Sequence, residues 1–124
     1  MPIKKITPIA GRKKILVCGA TGFIGRNIAE YFAGKDDCEI IGVYNRRPPF
    51  DHPGIRWVKA NLTDPSQVAK LVEGIDVVIQ AAATTSGIKD VFAQPHIHIT
   101  DNAVMNSYLF RAAYESQVSH VVFF

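Results

Sequence analysis

Three glycines, spaced three residues apart, stand between a run of apolar residues and a stretch with helical periodicity. They are Gly19, Gly22 and Gly25, in the segment Gly-Ala-Thr-Gly-Phe-Ile-Gly. Glycine permits a tight turn, lets another group approach the backbone without meeting a Cβ, and lets a helix pack close to a strand. The first N–H groups of the following helix carry partial positive charge and attract anions. The spacing therefore predicts a turn that holds a phosphate group, and the alternative is a tight turn without a ligand.

The elements that must position this turn can be predicted from the hydrophobic pattern. Continuous apolar runs are typical of strands buried on both faces. Such runs occur at residues 15–18 and 40–44 and within 76–80 and 120–124, and residues 55–59, with Trp57 and Val58, predict a further, shorter strand. Helical spacing predicts a first helix ending at Gly34, a second running from the Asp64–Pro65 cap to about Gly74, and a third over about 97–117.

Strands that alternate with helices predict an α/β fold with a parallel sheet. We expect the doubly wound type with five strands in the order 3-2-1-4-5. The ligand crevice of such a sheet lies at the carboxyl ends of strands 1 and 4, where the strand order reverses. The glycine turn and the run Ala81–Ala83 both fall at that edge.

Composition indicates one globular domain. The chain has 124 residues, of which 48% are hydrophobic and 20% charged, so wholesale disorder is excluded. No apolar stretch approaches the ~18–20 residues of a membrane helix. The two cysteines lack metal-ligand spacing, and Cys18 reads as a reduced, buried thiol.

Positive charge is concentrated at the amino terminus. Residues 1–14 hold five basic side chains and no acid, which leaves nine basic against eleven acidic side chains in the remainder. We therefore predict a flexible basic arm over 1–13 and a folded domain over 14–124, with no nucleic-acid-binding face. A transit peptide is the alternative interpretation of the arm.

The glycine turn resembles that of the extended short-chain dehydrogenase/reductase family, the NAD(P)-dependent epimerases and dehydratases. The resemblance covers about residues 14–124. It implies a Rossmann-like fold and a dinucleotide cofactor whose pyrophosphate is capped by the backbone at Phe23 and Ile24. The cofactor-binding residues predicted within the turn are Gly19, Thr21, Gly22, Phe23, Ile24 and Gly25.

The end of the second strand bears on the choice between NAD and NADP. An acidic residue here would bind both ribose hydroxyls, but the chain has Asn45 followed by Arg46 and Arg47. Arginine suits a 2′-phosphate through bidentate, charge-assisted bonds. We therefore favour NADP over NAD, with Asn45 and Arg46 as cofactor-binding residues. The alternative is a solvated loop before Pro48.

The resemblance assigns further cofactor contacts to the ends of the third and fourth strands. Asn61 stands where the family usually has an aspartate that meets the adenine amino group, and its amide oxygen can still accept that bond. Leu62 would touch the adenine ring. The small side chains of Ala81, Ala82 and Ala83 would let the ribose lie against the backbone.

Asn102, near the start of the long helix, would point at the crevice and help to place the cofactor. Its alternative role is a first-turn or capping residue.

Hydride chemistry in this family uses a tyrosine with a lysine four residues later. The only such pair here is Tyr31 and Lys35, on the first helix, and we predict Tyr31 to be a core-facing aromatic. Three of the four histidines, His96, His98 and His120, have no metal-ligand spacing. Ser86 and Thr85 lie near the substrate edge without an identifiable base. We predict no catalytic and no metal-binding residue in this chain.

These observations predict the amino-terminal, dinucleotide-binding portion of an NAD(P)-dependent nucleotide-sugar epimerase, dehydratase or reductase, ending in the fifth strand. This chain alone would at most bind the cofactor. The complete protein would take a nucleotide sugar, pair its long helix with a second copy in a homodimer, and be cytoplasmic. A non-catalytic NAD(P)-binding regulatory module is the main alternative, and a structural domain with an empty site is a third.

Overall fold

The computed structural model describes residues 11–83 and 95–124, the side chains of 95 and 97–99 excepted. Five strands form one parallel sheet in the order β3-β2-β1-β4-β5, as predicted. The strands are β1 (Lys13–Cys18), β2 (Cys38–Tyr44), β3 (Ile55–Lys59), β4 (Val77–Gln80) and β5 (His120–Phe123). The helices are α1 (Phe23–Ala33), α2 (Pro65–Leu71) and α3 (Pro95–Glu115).

The sheet has a hydrophobic core on each face, because successive side chains of a strand point to opposite sides. Leu16 and Cys18 of β1 enter the larger core, which α2 and α3 cover. Ile15 and Val17 enter the smaller core, which α1 covers together with Phe50. Helices on both faces explain why the central strands read as continuous apolar runs.

The thiol of Cys18 is fully buried and free of any disulfide, as predicted. Burial raises its pKa to about 12, so the thiol stays protonated at neutral pH. Cys18 therefore serves as a small core residue beneath the glycine turn.

The α2 helix begins at the predicted cap. The Asp64 carboxylate accepts hydrogen bonds from the backbone N–H groups of Ser66 and Gln67, at 2.9 and 3.4 Å, and Pro65 occupies the first helical position. The helix ends at Leu71, three residues before Gly74. The α3 helix begins two residues before the predicted start and ends two residues before the predicted end.

Tyr31 does not face the core, and this prediction is wrong. Its side chain is 61% exposed, and the Lys35 ammonium nitrogen lies 4.7 Å from the centre of its ring. The buried stripe of α1 is instead formed by Gly25 and Ala29, with Phe32 partly buried beside them. Tyr31 lies outside this stripe, although its spacing from Ile28 fits a helical period.

The chain joins the sheet slightly earlier than predicted. β1 begins at Lys13, whose N–H donates to the Asp37 carbonyl oxygen, and the Arg12 guanidinium donates to the Cys38 carbonyl oxygen at 2.6 Å. No helix in the described ranges is long and apolar enough to cross a bilayer. The rest of the predicted arm and the segment Thr84–Gly87 lie outside the described residues.

Candidate functional site

The glycine turn lies where the predicted fold puts it, between β1 and α1 at the carboxyl edge of the sheet. The Ala20 N–H donates to the Val43 carbonyl oxygen of β2 at 3.2 Å. On the other side, the Ala81 N–H that follows β4 donates to the Cys18 carbonyl oxygen at 3.1 Å. The turn is therefore fixed between the ends of β2 and β4, at the point where the strand order reverses.

Two of the three glycines are required by the fold itself. Gly19 has φ +73°, and a Cβ there would lie 2.6 Å from the Ala81 carbonyl oxygen. A Cβ on Gly25 would overlap the carbonyl group of Gly19 and lie 3.0 Å from the Ala20 Cα. These neighbours are backbone atoms, so they cannot move aside cheaply.

Gly22 differs from both, because the protein leaves room for a side chain at this position. Its φ of −82° suits any residue, and a Cβ would meet only the Gly19 carbonyl oxygen, at 3.4 Å. Neither backbone conformation nor packing within the described residues therefore requires glycine here. A glycine at such a position is explained if something outside the chain approaches its backbone.

The first turn of α1 begins at this open position. Gly22 is the N-cap, and within the described residues no side chain caps the helix or places an acid in its first turn. The Gly22 carbonyl oxygen accepts the Arg26 N–H at 2.8 Å, whereas Phe23 and Ile24 are 86% and 47% exposed. Uncapped N–H groups at an exposed helix start, beside a position without Cβ, have the donor set and the space that a diphosphate needs.

The segment after β2 reaches this turn through an arginine that was not among the predicted site residues. The Arg47 guanidinium donates to the Thr21 carbonyl oxygen at 3.2 Å. Asn45, Arg46 and Arg47 are all exposed. The sequence alone does not show which of the two arginines contacts the turn, because Arg47 and Thr21 are 26 positions apart. In the structure Arg47 is tied to the turn and Arg46 faces solvent beside it.

The side chain of Asn61, a predicted adenine contact, makes hydrogen bonds within its own loop. Its side-chain oxygen already accepts the N–H of Thr63 at 3.0 Å and the Thr63 hydroxyl at 2.7 Å. A carbonyl oxygen has two lone pairs, so an adenine amino group would have to displace one of these bonds. Leu62 is only 5% exposed and packs in the larger core, which leaves little of its side chain for a ring contact.

The alanine run after β4 is held by a polar pair that sequence reasoning missed. Gln80 is buried; its amide oxygen accepts the Ala82 N–H at 3.0 Å and its amide nitrogen donates to Asn106 of α3 at 2.8 Å. Ala81 and Ala82 are half-buried, and Ala83 is exposed. The sequence did contain a signal for this pair. Gln80 ends an apolar strand, and a buried amide group needs hydrogen-bond partners.

Asn102, one helical turn before Asn106, is half-buried and engaged in an interaction within the fold. The hydrogen bond from Gln80 to Asn106 joins the end of β4 to α3, at the edge of the sheet where the crevice is predicted.

The Tyr31 and Lys35 pair lies at the opposite end of α1 from the glycine turn. Both residues flank Gly34, the C-cap of the helix. His96 and His120 are exposed. Thr85 and Ser86 lie outside the described residues, as does the side chain of His98.

A separate groove of about 330 Å³ lies between α2 and strands β2 and β3. Its lining includes Lys14, Arg56 and Lys70 around Ile41 and Val58. None of the predicted site residues lines it, so it is distinct from the glycine turn.

Sequence comparison assigns the family. A sequence model of the NAD dependent epimerase/dehydratase family matches residues 15–124. The chain belongs to this family. The match begins in β1 and includes the glycine turn and every described strand of the sheet.

Individual relatives agree with the family assignment. The low-salt glycan biosynthesis protein Agl12 of Haloferax volcanii is 31% identical over 78 residues, which is 56% of this chain and 25% of that protein. The Bordetella bronchiseptica enzyme WbmH, solved in complex with NAD+, is 25% identical, with a TM-score of 0.72 over 89% of this chain and 38% of its own. A variant uronate dehydrogenase from Agrobacterium tumefaciens, complexed with NAD, is 26% identical, with a TM-score of 0.69 over 90% of this chain and 40% of its own. The chain thus spans a quarter to two fifths of the length of these relatives.

Proposed function

We propose that this chain is the dinucleotide-binding portion of an NAD(P)-dependent epimerase, dehydratase or reductase that acts on nucleotide sugars. The observation that carries the proposal is the open position at Gly22, at the start of α1. The fold leaves room there for a Cβ, so the missing side chain is best explained by a diphosphate that approaches the backbone. Family membership and the two relatives solved with NAD support the same ligand.

In this proposal each predicted group has a distinct part. The uncapped N–H groups of α1 bind the pyrophosphate, and the short side chains of Ala81 and Ala82 admit the ribose. Asn102 orients the cofactor from α3. When bound, the nicotinamide ring accepts or returns a hydride. The resemblance also implies nucleotide-sugar substrates and an α3-mediated homodimer for the complete protein, and the free, buried thiol of Cys18 favours a cytoplasmic location.

The alternative, a non-catalytic NAD(P)-binding regulatory module, differs from the proposed enzyme in whether a catalytic Tyr-x-x-x-Lys motif accompanies the cofactor site. The only tyrosine followed by lysine four residues later is Tyr31, at the far end of α1 from the turn. A Tyr-x-x-x-Lys motif encoded downstream of Phe124 would support the enzyme, and a stop codon at that point would support a non-catalytic module.

Direct titration tests whether the chain binds a dinucleotide. We expect the 124-residue chain to bind NADPH and NADH, measured by calorimetry and by quenching of Trp57, the single tryptophan. Adenosine monophosphate is the matched ligand, since it lacks the diphosphate and should bind more weakly than either dinucleotide. Failure to bind both dinucleotides at millimolar concentration would contradict the proposal.

A second titration tests the preference for NADP. We expect NADPH to bind more tightly than NADH, because Arg46 is exposed beside the turn and residues 45–47, directly after β2, include no carboxylate to bind the ribose hydroxyls. Loss of a charge-assisted bond in Arg46→Ala should weaken NADPH binding by about tenfold or more and leave NADH within about threefold.

The control is Arg56→Ala, which removes an exposed cation from β3 and should change neither affinity. Equal affinities of the wild-type chain for the two cofactors would refute the preference.

A further inference from the structure

The connection between β2 and β3 contacts α1 through the aromatic ring of Phe50. The central guanidinium carbon of Arg26 lies 4.1 Å from the centre of the Phe50 ring. The same ring packs edge-on against Trp57 of β3, with centroids 4.9 Å apart. Phe50 is therefore held between the helix and the sheet.

Arg26 is itself fixed on both sides. Its backbone N–H closes the first turn of α1 by donating to the Gly22 carbonyl oxygen at 2.8 Å. Its side chain donates to the Glu30 carboxylate at 2.9 Å. The ring of Phe50 thus contacts a guanidinium whose position is tied to the start of the helix.

A second contact, between the connection and the glycine turn, lies three residues earlier, where the Arg47 guanidinium donates a hydrogen bond to the Thr21 carbonyl oxygen at 3.2 Å. Pro48 and Pro49 lie between these two contacts, and each proline fixes its own φ near −65°. The segment between Arg47 and Phe50 is consequently short and stiff. Movement of Phe50 away from Arg26 would therefore move the Asn45–Arg47 segment relative to the glycine turn.

We propose that Phe50, stacked on Arg26, is a positioning residue that holds the Asn45–Arg47 segment ready to receive the 2′-phosphate of the cofactor. The inference rests on the proposed dinucleotide-binding function and on its preference for NADPH. Phe50 does not contact the cofactor. It restricts the conformation of the segment before the cofactor binds, so less conformational entropy is lost on binding. The ring therefore affects the part of the cofactor that the segment binds more than the part that the turn binds.

The test compares affinities for NADPH and NADH in the full chain. In Phe50→Leu the cation–aromatic contact is lost while an apolar side chain stays, and we expect NADPH binding to weaken about two- to fivefold more than NADH binding. Phe50→Tyr keeps the ring and should restore the wild-type ratio. Tyr31→Leu is the matched control, because it removes the other cation–aromatic contact of α1, with Lys35, far from the turn.

The NADPH-to-NADH ratio separates positioning from general loss of stability, since partial unfolding lowers both affinities equally. If Phe50→Leu does not fold, Arg26→Lys tests the contact from its other side, because it keeps the charge but loses the planar group. An unchanged ratio in the folded variant, or a Phe50→Tyr chain that behaves like Phe50→Leu, would overturn the inference.

The wild-type titration distinguishes failure of this inference from failure of the proposed function. A chain that binds NADH but not NADPH would overturn the role of Phe50 and leave dinucleotide binding standing. A chain that binds neither would overturn both.

Discussion

The three glycines of the turn differ in what they do, although their spacing presents them as one motif. Gly19 and Gly25 allow backbone segments to approach within distances that a Cβ would forbid. Gly22 has no such neighbour and lies at the exposed start of α1. The first two are therefore needed for folding, and we propose that the third makes room for a ligand.

Substitution of Gly25 should reveal the packing role directly. We expect Gly25→Ala to lower the free energy of unfolding by about 1–3 kcal/mol or more, because the new Cβ would overlap the Gly19 carbonyl group. Urea denaturation measures this change. Gly74→Ala is not a suitable control because Gly74 has φ +73°. Gly34 has a negative φ, and a Cβ there would meet only the Tyr31 carbonyl oxygen, at an ordinary contact distance of 3.5 Å, so Gly34→Ala is the control. A Gly25→Ala chain as stable as Gly34→Ala would show that the close approach does not exist in solution.

At the scale of elements, the sequence allowed every described strand to be predicted. The inner strands β1, β2 and β4 are buried on both faces and leave a continuous apolar signal, whereas the outer strands β3 and β5 leave short apolar segments although they are more exposed. The ends of the helices were predicted less accurately. Gly74 was predicted to end α2, but the helix ends at Leu71 and Gly74 lies in the turn that follows. The exposure of Tyr31 was not predicted, because the apolar spacing on α1 does not show which residues lie at the edge of its buried face. Contacts such as Arg47 with Thr21 and Gln80 with Asn106 join residues 26 positions apart, so they follow from the tertiary fold and not from local pattern.

The cap of α2 should make stability depend on pH. Hydrogen bonds from the side chains of Ser66 and Gln67 lower the pKa of Asp64 below its ordinary value of 3.8. A lowered pKa in the folded state means that ionised Asp64 stabilises the fold above pH 3.8, and that this contribution is lost as the pH falls through the folded-state pKa. Asp64→Asn retains a capping oxygen but cannot ionise.

The measurement is the free energy of unfolding of both chains between pH 2 and pH 7, in which the advantage of the wild-type chain should shrink toward the acid end. An advantage that stayed constant across this range would show that the charge of Asp64 contributes nothing.

At the scale of the whole molecule, the sheet is asymmetric. The three inner strands β2, β1 and β4 are largely buried, whereas all four residues of β5 are exposed. Phe123 and Phe124 are 56% and 60% exposed, next to Phe110 of α3. An exposed apolar edge strand is an aggregation hazard, so binding experiments on this chain should be carried out at low protein concentration.

The central claim, that the open position at Gly22 is where a cofactor diphosphate binds, is tested most directly by thermal unfolding with and without NADPH. A ligand at a hundred times its dissociation constant stabilises a chain by about 2.7 kcal/mol, so the midpoint should rise by on the order of 10 °C. Gly22→Ala and Gly34→Ala are a matched pair at the two caps of α1, each with negative φ and space for a Cβ. We predict that both variants unfold near the wild-type midpoint without ligand, that NADPH raises the midpoint of Gly34→Ala as it does for wild type, and that it raises that of Gly22→Ala little or not at all. Equal NADPH-induced shifts in the two variants would contradict the claim.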